Sequence, residues 1–295
     1  MSCSSTMSAK TGALSLEGDY PAYVEEYLNK STEQEVLTEW ALANSCRIVV
    51  SDFSSGEYTM LDVCSPDGST SLKILSIVWR NLQPGTQTTF RVVNNHSAVL
   101  EKYQNIVNSS KKREYKKIKF DWRSETLASY FKEMSEKSGG GKMNLAMLIH
   151  GMYYLDEPEK DLLHIYEKEL ENNGVILCVI QDENNFALRI QNGLRREGKQ
   201  FTECVKMISS KEVIAIAKKH EWKHEIDSVE YIVDVSECQQ LDSRNGEMLL
   251  DMLFNAKNVR EKASSDCLQR ILTSLKEDAV SNVLKEKLAI ILIYK

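Results

Sequence analysis

The stretch YTMLDVCSPDGSTSLKILSIVWRNL, residues 58–82, decides the fold class of this chain. Its first part, YTMLDV (58–63), is an apolar run typical of a buried strand. The following CSPDG (64–68) carries the proline, aspartate and glycine of a turn. SLKILSIVWRNL (71–82) then has the apolar spacing of a helix. A buried strand that turns directly into a helix predicts the start of an α/β unit.

The same alternation of apolar runs and helical patterns continues through the chain. Further strands are predicted at 88–93, 116–122, 143–151, 175–181, 229–235 and 287–294. Helices are predicted at 97–107, 126–137, 159–172 and 210–221, with two more between 245 and 277. Before the first strand, helices are broken near Asn29-Lys30, and Ser31 with Gln34 forms a capping-box pattern for the second of them.

Strands that are nearly continuous apolar runs predict a mostly parallel sheet covered by helices on both faces. We expect one domain over 19–295, with a helical cover at 19–57 and an α/β core at 58–295, after a flexible lead at 1–18. Such sheets bind ligands outside the carboxyl ends of their strands. Here those ends are 64–68, 94–95, 123–125, 150–154 and 181–185.

Composition and charge limit the kinds of partner and the compartment that we expect for this chain. The chain has 295 residues, of which 42% are hydrophobic and 27% charged, and its net charge of -6 argues against nucleic acid or an anionic membrane as a partner. None of the seven cysteines forms a CxxC pair, so we expect a reducing compartment and no metal site. No apolar segment is long enough to span a bilayer. We therefore expect a cytoplasmic monomer.

Four segments resemble one known family. They are AYVEEYLNKSTEQ (22–34), KFDWRSET (119–126), MYYLDEPEKDL (152–162) and LAIILIY (288–294). Their order and spacing resemble those of the histamine N-methyltransferases, a class I methyltransferase group that uses S-adenosylmethionine. The resemblance implies a Rossmann-like α/β fold and methyl transfer to a nitrogen of a small amine, without identifying a certain catalytic residue.

The resemblance also implies a set of cofactor-binding positions. In the family the loop after the first strand is mostly glycine, whereas here only Gly68 keeps that pattern and Pro66 removes a backbone N–H. Asn94 stands where class I methyltransferases usually carry the carboxylate that holds the ribose, and Leu127 stands beside the expected adenine. The positions that the resemblance assigns to S-adenosylmethionine are Asp62, Cys64, Ser65, Gly68, Asn94, Leu127 and Ile149.

The substrate side of the resemblance combines carboxylates with aromatic rings, which suits a small cationic amine. Glu33 matches the acidic residue that binds the histamine ring in the family. His150 replaces a glutamine of the family, and Glu286 aligns with an asparagine near the last strand. The implied substrate-binding residues are Tyr23, Tyr27, Glu33, His150, Tyr153, Tyr154, Phe186 and Glu286.

Simpler structural interpretations of the same residues stay open. Glu33 can stabilise the first turn of a helix, Tyr153 can serve packing alone, and His150 can be a hydrogen-bonded structural histidine. Cys64 can be an inert buried thiol. The sequence thus supports two functions: an N-methyltransferase of histamine or a related imidazole or aromatic amine, or a repurposed member of the fold that binds a small aromatic ligand without methyl transfer.

Overall fold

A computed structural model describes residues 20–49, 56–136, 142–198 and 208–295. The predicted lead at 1–18 and the glycine run at 139–141 lie outside the described residues. Within the described ranges seven strands form one sheet. They are β1 Glu57–Val63, β2 Gln87–Val93, β3 Ile118–Arg123, β4 Met143–Ile149, β5 Leu170–Gln181, β6 Lys223–Asp234 and β7 Val283–Tyr294.

The order of the strands in the sheet is β3-β2-β1-β4-β5-β7-β6. The first five strands pair in parallel, so their carboxyl ends meet at one edge, with Val63 opposite Val93 and Val93 opposite Arg123. β7 pairs antiparallel with both β5 and β6. Its apolar run is buried because it lies between two neighbours rather than at the edge.

Helices cover both faces of this sheet. The described helices are α1 Tyr20–Lys30, α2 Glu33–Ala43, α3 Ser45–Ile48, α4 Ser69–Asn81, α5 Ser97–Ser109, α6 Leu127–Glu136, α7 Pro158–His164, α8 Phe186–Arg196, α9 Ser210–Lys219, α10 Arg244–Phe254, α11 Val259–Lys262 and α12 Ser265–Asp278. None of them is long and apolar enough to cross a membrane.

The side chains of the central strands alternate between two apolar clusters, one on each face. In β4, Met147 joins the cluster that includes residues of α4, α8 and α10, whereas Leu148 joins the cluster that includes residues of α6 and α9. Neither side chain is exposed to solvent. The predicted α/β sheet with two covered faces is confirmed, and burial of each such side chain contributes about 1.5–3 kcal/mol.

Two details of the sequence prediction are wrong. The helix predicted to 172 ends as an α-helix at His164, continues as one π-helical turn over Ile165–Glu169, and gives way to extended backbone at Leu170. Leu170 is buried and pairs with Met143, so tertiary burial stops the helix before its pattern ends.

The capping box at the start of α2 is also wrong. The side-chain amide of Gln34 donates to Ser69 Oγ at 2.7 Å instead of reaching back to its own helix. Ser31 Oγ accepts from the backbone N–H of Glu33 at 3.1 Å. The patterns also missed α8, whose first turn is capped by the Asn185 side chain.

Candidate functional site

A cavity of about 80 Å³ lies at the carboxyl ends of β1, β4 and β5. That volume holds roughly five water molecules or part of a small ligand. Its walls come from α1, the first residue of α2, the loop after β1, the turn after β4, the end of β5 and the end of α10. In the part of the chain that the structure describes, no lysine or arginine lines this cavity, so its charged groups are carboxylates and one imidazole.

The amino-terminal wall is one face of α1. Tyr20, Val24 and Tyr27 line the cavity because their spacing of four and three residues places them on the same side of the helix. The hydroxyl of Tyr20 lies 2.7 Å from that of Tyr154, and this hydrogen bond ties α1 to the turn after β4. Tyr23, predicted as a pocket residue, does not line the cavity.

Glu33 and His150 form the polar centre of the cavity. His150 Nε2 lies 2.8 Å from Glu33 Oε1, and the Tyr27 hydroxyl donates to Glu33 Oε2 at 2.6 Å. Glu33 is only 4% exposed. Burial raises the pKa of its carboxyl, but the neighbouring His150 imidazole and the hydrogen bonds from His150 and Tyr27 outweigh burial and hold the pKa below its usual value.

A hydrogen-bonded network continues from this pair into the protein. The Tyr27 hydroxyl reaches that of Tyr231 at 3.2 Å, and Tyr231 donates to Gln181 Oε1 at 3.1 Å. Asn185 Nδ2 donates to the same oxygen at 2.9 Å. Tyr153 joins from the other side, where its hydroxyl accepts from the backbone N–H of Gln181 at 2.9 Å. The polar wall of the cavity is therefore held in one arrangement by buried partners.

Glu286 and Phe186 do not line the cavity. The carboxylate of Glu286 accepts from the backbone N–H of Phe186 at 3.1 Å and from Asn185 Nδ2 at 3.0 Å, at the amino terminus of α8. Burial raises the pKa of Glu286 to about 7 despite these bonds. The Phe186 ring is buried against Phe254, with ring centroids 5.9 Å apart.

The loop after β1 is held by side chains that replace the expected glycines. Cys64 has a left-handed backbone with φ 54°, and its N–H donates to the carbonyl of Val93. Its thiol is buried, and burial raises its pKa to about 12, which fits an inert thiol. Ser65 and Gly68 line the cavity, but Cys64 does not.

Asp62 organises that loop. Its carboxylate accepts from the hydroxyls of Ser65 at 2.7 Å, Ser71 at 3.1 Å and Tyr103 at 3.1 Å. It is fully buried, and burial raises its pKa to about 6 although the three hydrogen bonds lower it. The Tyr103 ring lies against Gly68, where an added Cβ would come within 2.3 Å of ring carbons.

The other predicted cofactor positions occupy the neighbouring strand ends. Ile149 lines the cavity, whereas Asn94 and Leu127 are buried outside it, at 1% and 8% exposure. Asn94 Nδ2 donates to the Ser65 carbonyl at 3.1 Å, and its Oδ1 accepts from the His96 N–H at 2.9 Å. Each end of the amide retains capacity for one further hydrogen bond, because an amide offers two N–H groups and two oxygen lone pairs.

Some cavity residues were not singled out from the sequence. Tyr20 shares the helical face of Tyr27, and that spacing is the signal that could have identified it. Gln181 ends β5 and Asn185 follows it, and both lie within 181–185, one of the strand ends at which the sequence predicted ligand binding. Asp67 likewise lies within the predicted strand end at 64–68, whereas Met252 carries no local signal, since it reaches the cavity from α10 only through tertiary packing.

Comparisons with known proteins show which proteins this chain resembles in sequence. No family model matches the chain. Histamine N-methyltransferase of Bos taurus is 24% identical over 274 residues, covering 90% of this chain and 91% of the bovine protein. The Danio rerio histamine N-methyltransferase is 24% identical over 272 residues, covering 88% of each chain.

Solved structures share the fold at lower identity. Mycolic acid cyclopropane synthase CmaA1, solved with SAH and CTAB, aligns with a TM-score of 0.52 and 10% identity over 95% of each chain. A methyltransferase candidate from Bacillus halodurans aligns with a TM-score of 0.53 and 9% identity over 86% of this chain and 98% of its own.

The fold is therefore that of the class I methyltransferases, a Rossmann-like sheet with helices on both faces. Within that class, the chain resembles the histamine N-methyltransferases over about nine tenths of its length and is divergent from them.

Proposed function

We propose that this protein is an S-adenosylmethionine-dependent N-methyltransferase that acts on histamine or a related small imidazole or aromatic amine. One observation carries the proposal: a single cavity is lined both by the loop after β1, through Ser65 and Gly68, and by the Glu33 and tyrosine wall. The methyl end of a donor held by the loop and the nitrogen of an amine held by the wall would meet in that cavity. The similarity to enzymes named histamine N-methyltransferases supports the same reaction.

The residues present fit S-adenosylmethionine by the chemistry of their donors. Asn94 offers a neutral amide with one further donor and one further acceptor for ribose hydroxyls, and Leu127 and Ile149 offer apolar contact for the adenine. Ser65 and Gly68 would border the methionine part. Asp62 would hold the loop rather than touch the ligand, since its carboxylate already accepts three hydrogen bonds. When bound, the cofactor supplies an electrophilic sulfonium methyl group.

The cavity wall formed by Glu33 and the tyrosines would have to recognise a small cationic amine. Glu33 is an ionised carboxylate in a wall of tyrosine rings, which provides charge pairing and cation–π attraction for an ammonium or imidazolium group. The buried hydroxyl network around Glu33 fixes the direction from which an amine can approach. Positioning of this kind can supply much of the catalytic advantage in a direct displacement.

The test is calorimetric titration of the purified protein with S-adenosylmethionine and with its demethylated product, followed by mass spectrometry of histamine incubated with protein and cofactor. We expect micromolar cofactor binding and a mass gain of one methyl group on the amine. Absence of heat at millimolar cofactor refutes the proposal.

A second function, binding of a small aromatic ligand without methyl transfer, is favoured by one specific observation. The Asn94 amide is hydrogen-bonded within the chain and only 1% exposed, so a ribose can reach it only if the surrounding residues move. The same titration separates the two functions. Binding of histamine without any binding of the cofactor would select the second.

A further inference from the structure

The Glu33–His150 pair has a geometry that amine recognition alone does not require. His150 Nε2 lies 2.8 Å from an ionised carboxylate, and an ionised carboxylate can only accept hydrogen bonds, so Nε2 carries the proton. Nδ1 has no hydrogen-bond partner among the described residues, while the side chain lines the cavity. A neutral imidazole in this tautomer presents a basic nitrogen at Nδ1.

The backbone around His150 holds the ring in place. Its φ of 55° lies in the left-handed region, which non-glycine residues rarely adopt. Its N–H donates to the carbonyl of Val179 at 2.9 Å, and its ring stacks on Tyr153 with centroids 5.8 Å apart. A strained residue held by several partners at a strand end is characteristic of functional sites.

We propose that His150, oriented by Glu33, is the base that takes a proton from the ammonium form of the substrate amine. This inference rests on the proposed methyl-transfer function. An ammonium nitrogen has no lone pair and cannot attack a methyl group. A substrate that is methylated on an aliphatic nitrogen must therefore lose a proton in the cavity, whereas an aromatic amine is already neutral. The proton passes to His150 Nδ1 and the electron pair stays on the amine nitrogen.

The freed lone pair then forms the new N–C bond while the C–S bond of the donor breaks, with its electrons remaining on sulfur. The product leaves as a methylammonium ion, and His150 returns its proton to solvent. Once His150 has taken the proton, its imidazolium Nε2 lies 2.8 Å from the Glu33 carboxylate. This ion pair stabilises the protonated base in a site from which water is largely excluded.

The other groups that face His150 do not replace it as a base. Tyr27 of α1 and Tyr153 after β4 are neutral, because burial raises the pKa of both hydroxyls far above the usual value. On the same cavity wall, burial raises the pKa of Tyr20 well above its usual value and that of Tyr154 to about 12. The remaining acid, Asp67, is engaged at Oδ1 by the N–H and hydroxyl of Ser69.

The experiment compares two amines of similar size, benzylamine, which is an ammonium ion at pH 7, and aniline, which is neutral. His150→Gln keeps an N–H donor for Glu33 but removes the base. We expect kcat/KM at pH 7 to fall about 10²–10⁴-fold more for benzylamine than for aniline, because only benzylamine must lose a proton. Raising the pH should restore benzylamine turnover in the variant, since the free amine then exists in solution.

His220→Gln is the matched control, because His220 Nε2 also lies 2.8 Å from a carboxylate, that of Glu159, but outside the cavity. It should leave both activities unchanged. Equal losses for the two amines in His150→Gln would overturn the base and leave only a positioning role. A wild-type protein that methylates histamine but not benzylamine overturns the role of His150 as a base for ammonium substrates and leaves the proposed function standing, whereas a protein that methylates none of the three amines refutes both.

A second readout does not depend on turnover. Nitrogen-15 NMR of the histidine rings, assigned through His150→Gln, should show a protonated Nε2 and an unprotonated Nδ1 in His150 at pH 8. Addition of benzylamine should shift Nδ1 towards the protonated value. A proton on Nδ1 and none on Nε2 in the ligand-free protein contradicts the assignment whatever the activity.

Discussion

Gly68 is the one glycine in the loop after β1, and replacing it with alanine should destabilise the protein in two separable ways. The first is conformational, since φ at Gly68 is 75° and an L-residue in the left-handed region costs about 1–2 kcal/mol. The second is steric, because the added Cβ would lie 2.3 Å from Cδ1 and Cε1 of the Tyr103 ring. Overpacking of this kind typically costs about 1–3 kcal/mol.

The Tyr103 ring cannot move aside cheaply. It is fully buried, its hydroxyl donates to Asp62 at 3.1 Å, and its ring contacts those of Phe90 and Trp122 with centroids 6.4 Å and 5.4 Å away. We therefore expect Gly68→Ala to lower the free energy of unfolding by about 2–5 kcal/mol, the sum of the two costs.

Gly85→Ala is the matched control. Its φ is 92°, and no atom lies within 4 Å of an added Cβ, so it should lose only the backbone part, about 1–2 kcal/mol. Guanidinium unfolding with unchanged m-values measures both variants. Combining Gly68→Ala with Tyr103→Ala should recover the steric part as a coupling energy of about 1–3 kcal/mol. Equal losses in the two glycine variants, with no coupling to Tyr103, would refute the reasoning.

Three further predictions concern single side chains. Cys64→Gly should be about 1–2 kcal/mol more stable than Cys64→Ala in chemical denaturation, because φ is 54° there; equal stability would argue against a left-handed backbone. The pKa of Glu33 is lowered in the folded protein, so its stabilising effect is present above the ordinary glutamate pKa and is lost as the pH falls. The stability advantage of wild type over Glu33→Gln should therefore shrink from pH 6 to pH 3. A difference that does not change with pH would contradict the ion pair with His150. For Glu286 the dependence of stability on pH should have the opposite sign, since its raised pKa of about 7 means that the folded state holds the proton more tightly. The wild type should lose stability relative to Glu286→Gln as the pH rises from 4.5 to 7. A gain over that range would show that the hydrogen bonds from the helix N–H groups outweigh burial.

Local patterns were sufficient to predict the framework of this protein. Each strand and most helices follow from apolar periodicity, and the parallel pairing follows from their alternation. Parallel sheets bind ligands outside the carboxyl ends of their strands, and the cavity lies at such ends, including those at 64–68, 150–154 and 181–185. Where local pattern and burial disagreed, as at Leu170, burial decided the outcome.

The sequence by itself thus determined the fold class and the edge of the sheet that carries the cavity. Only the tertiary structure decided which side chains meet there. Glu33 and His150 are separated by 117 residues and pair because the first residue of α2 and the turn after β4 meet at the cavity. Glu286 lies instead at the amino terminus of α8. Such contacts depend on the packing of whole elements, which periodicity does not encode, whereas strand and helix identity depend on near neighbours in the chain.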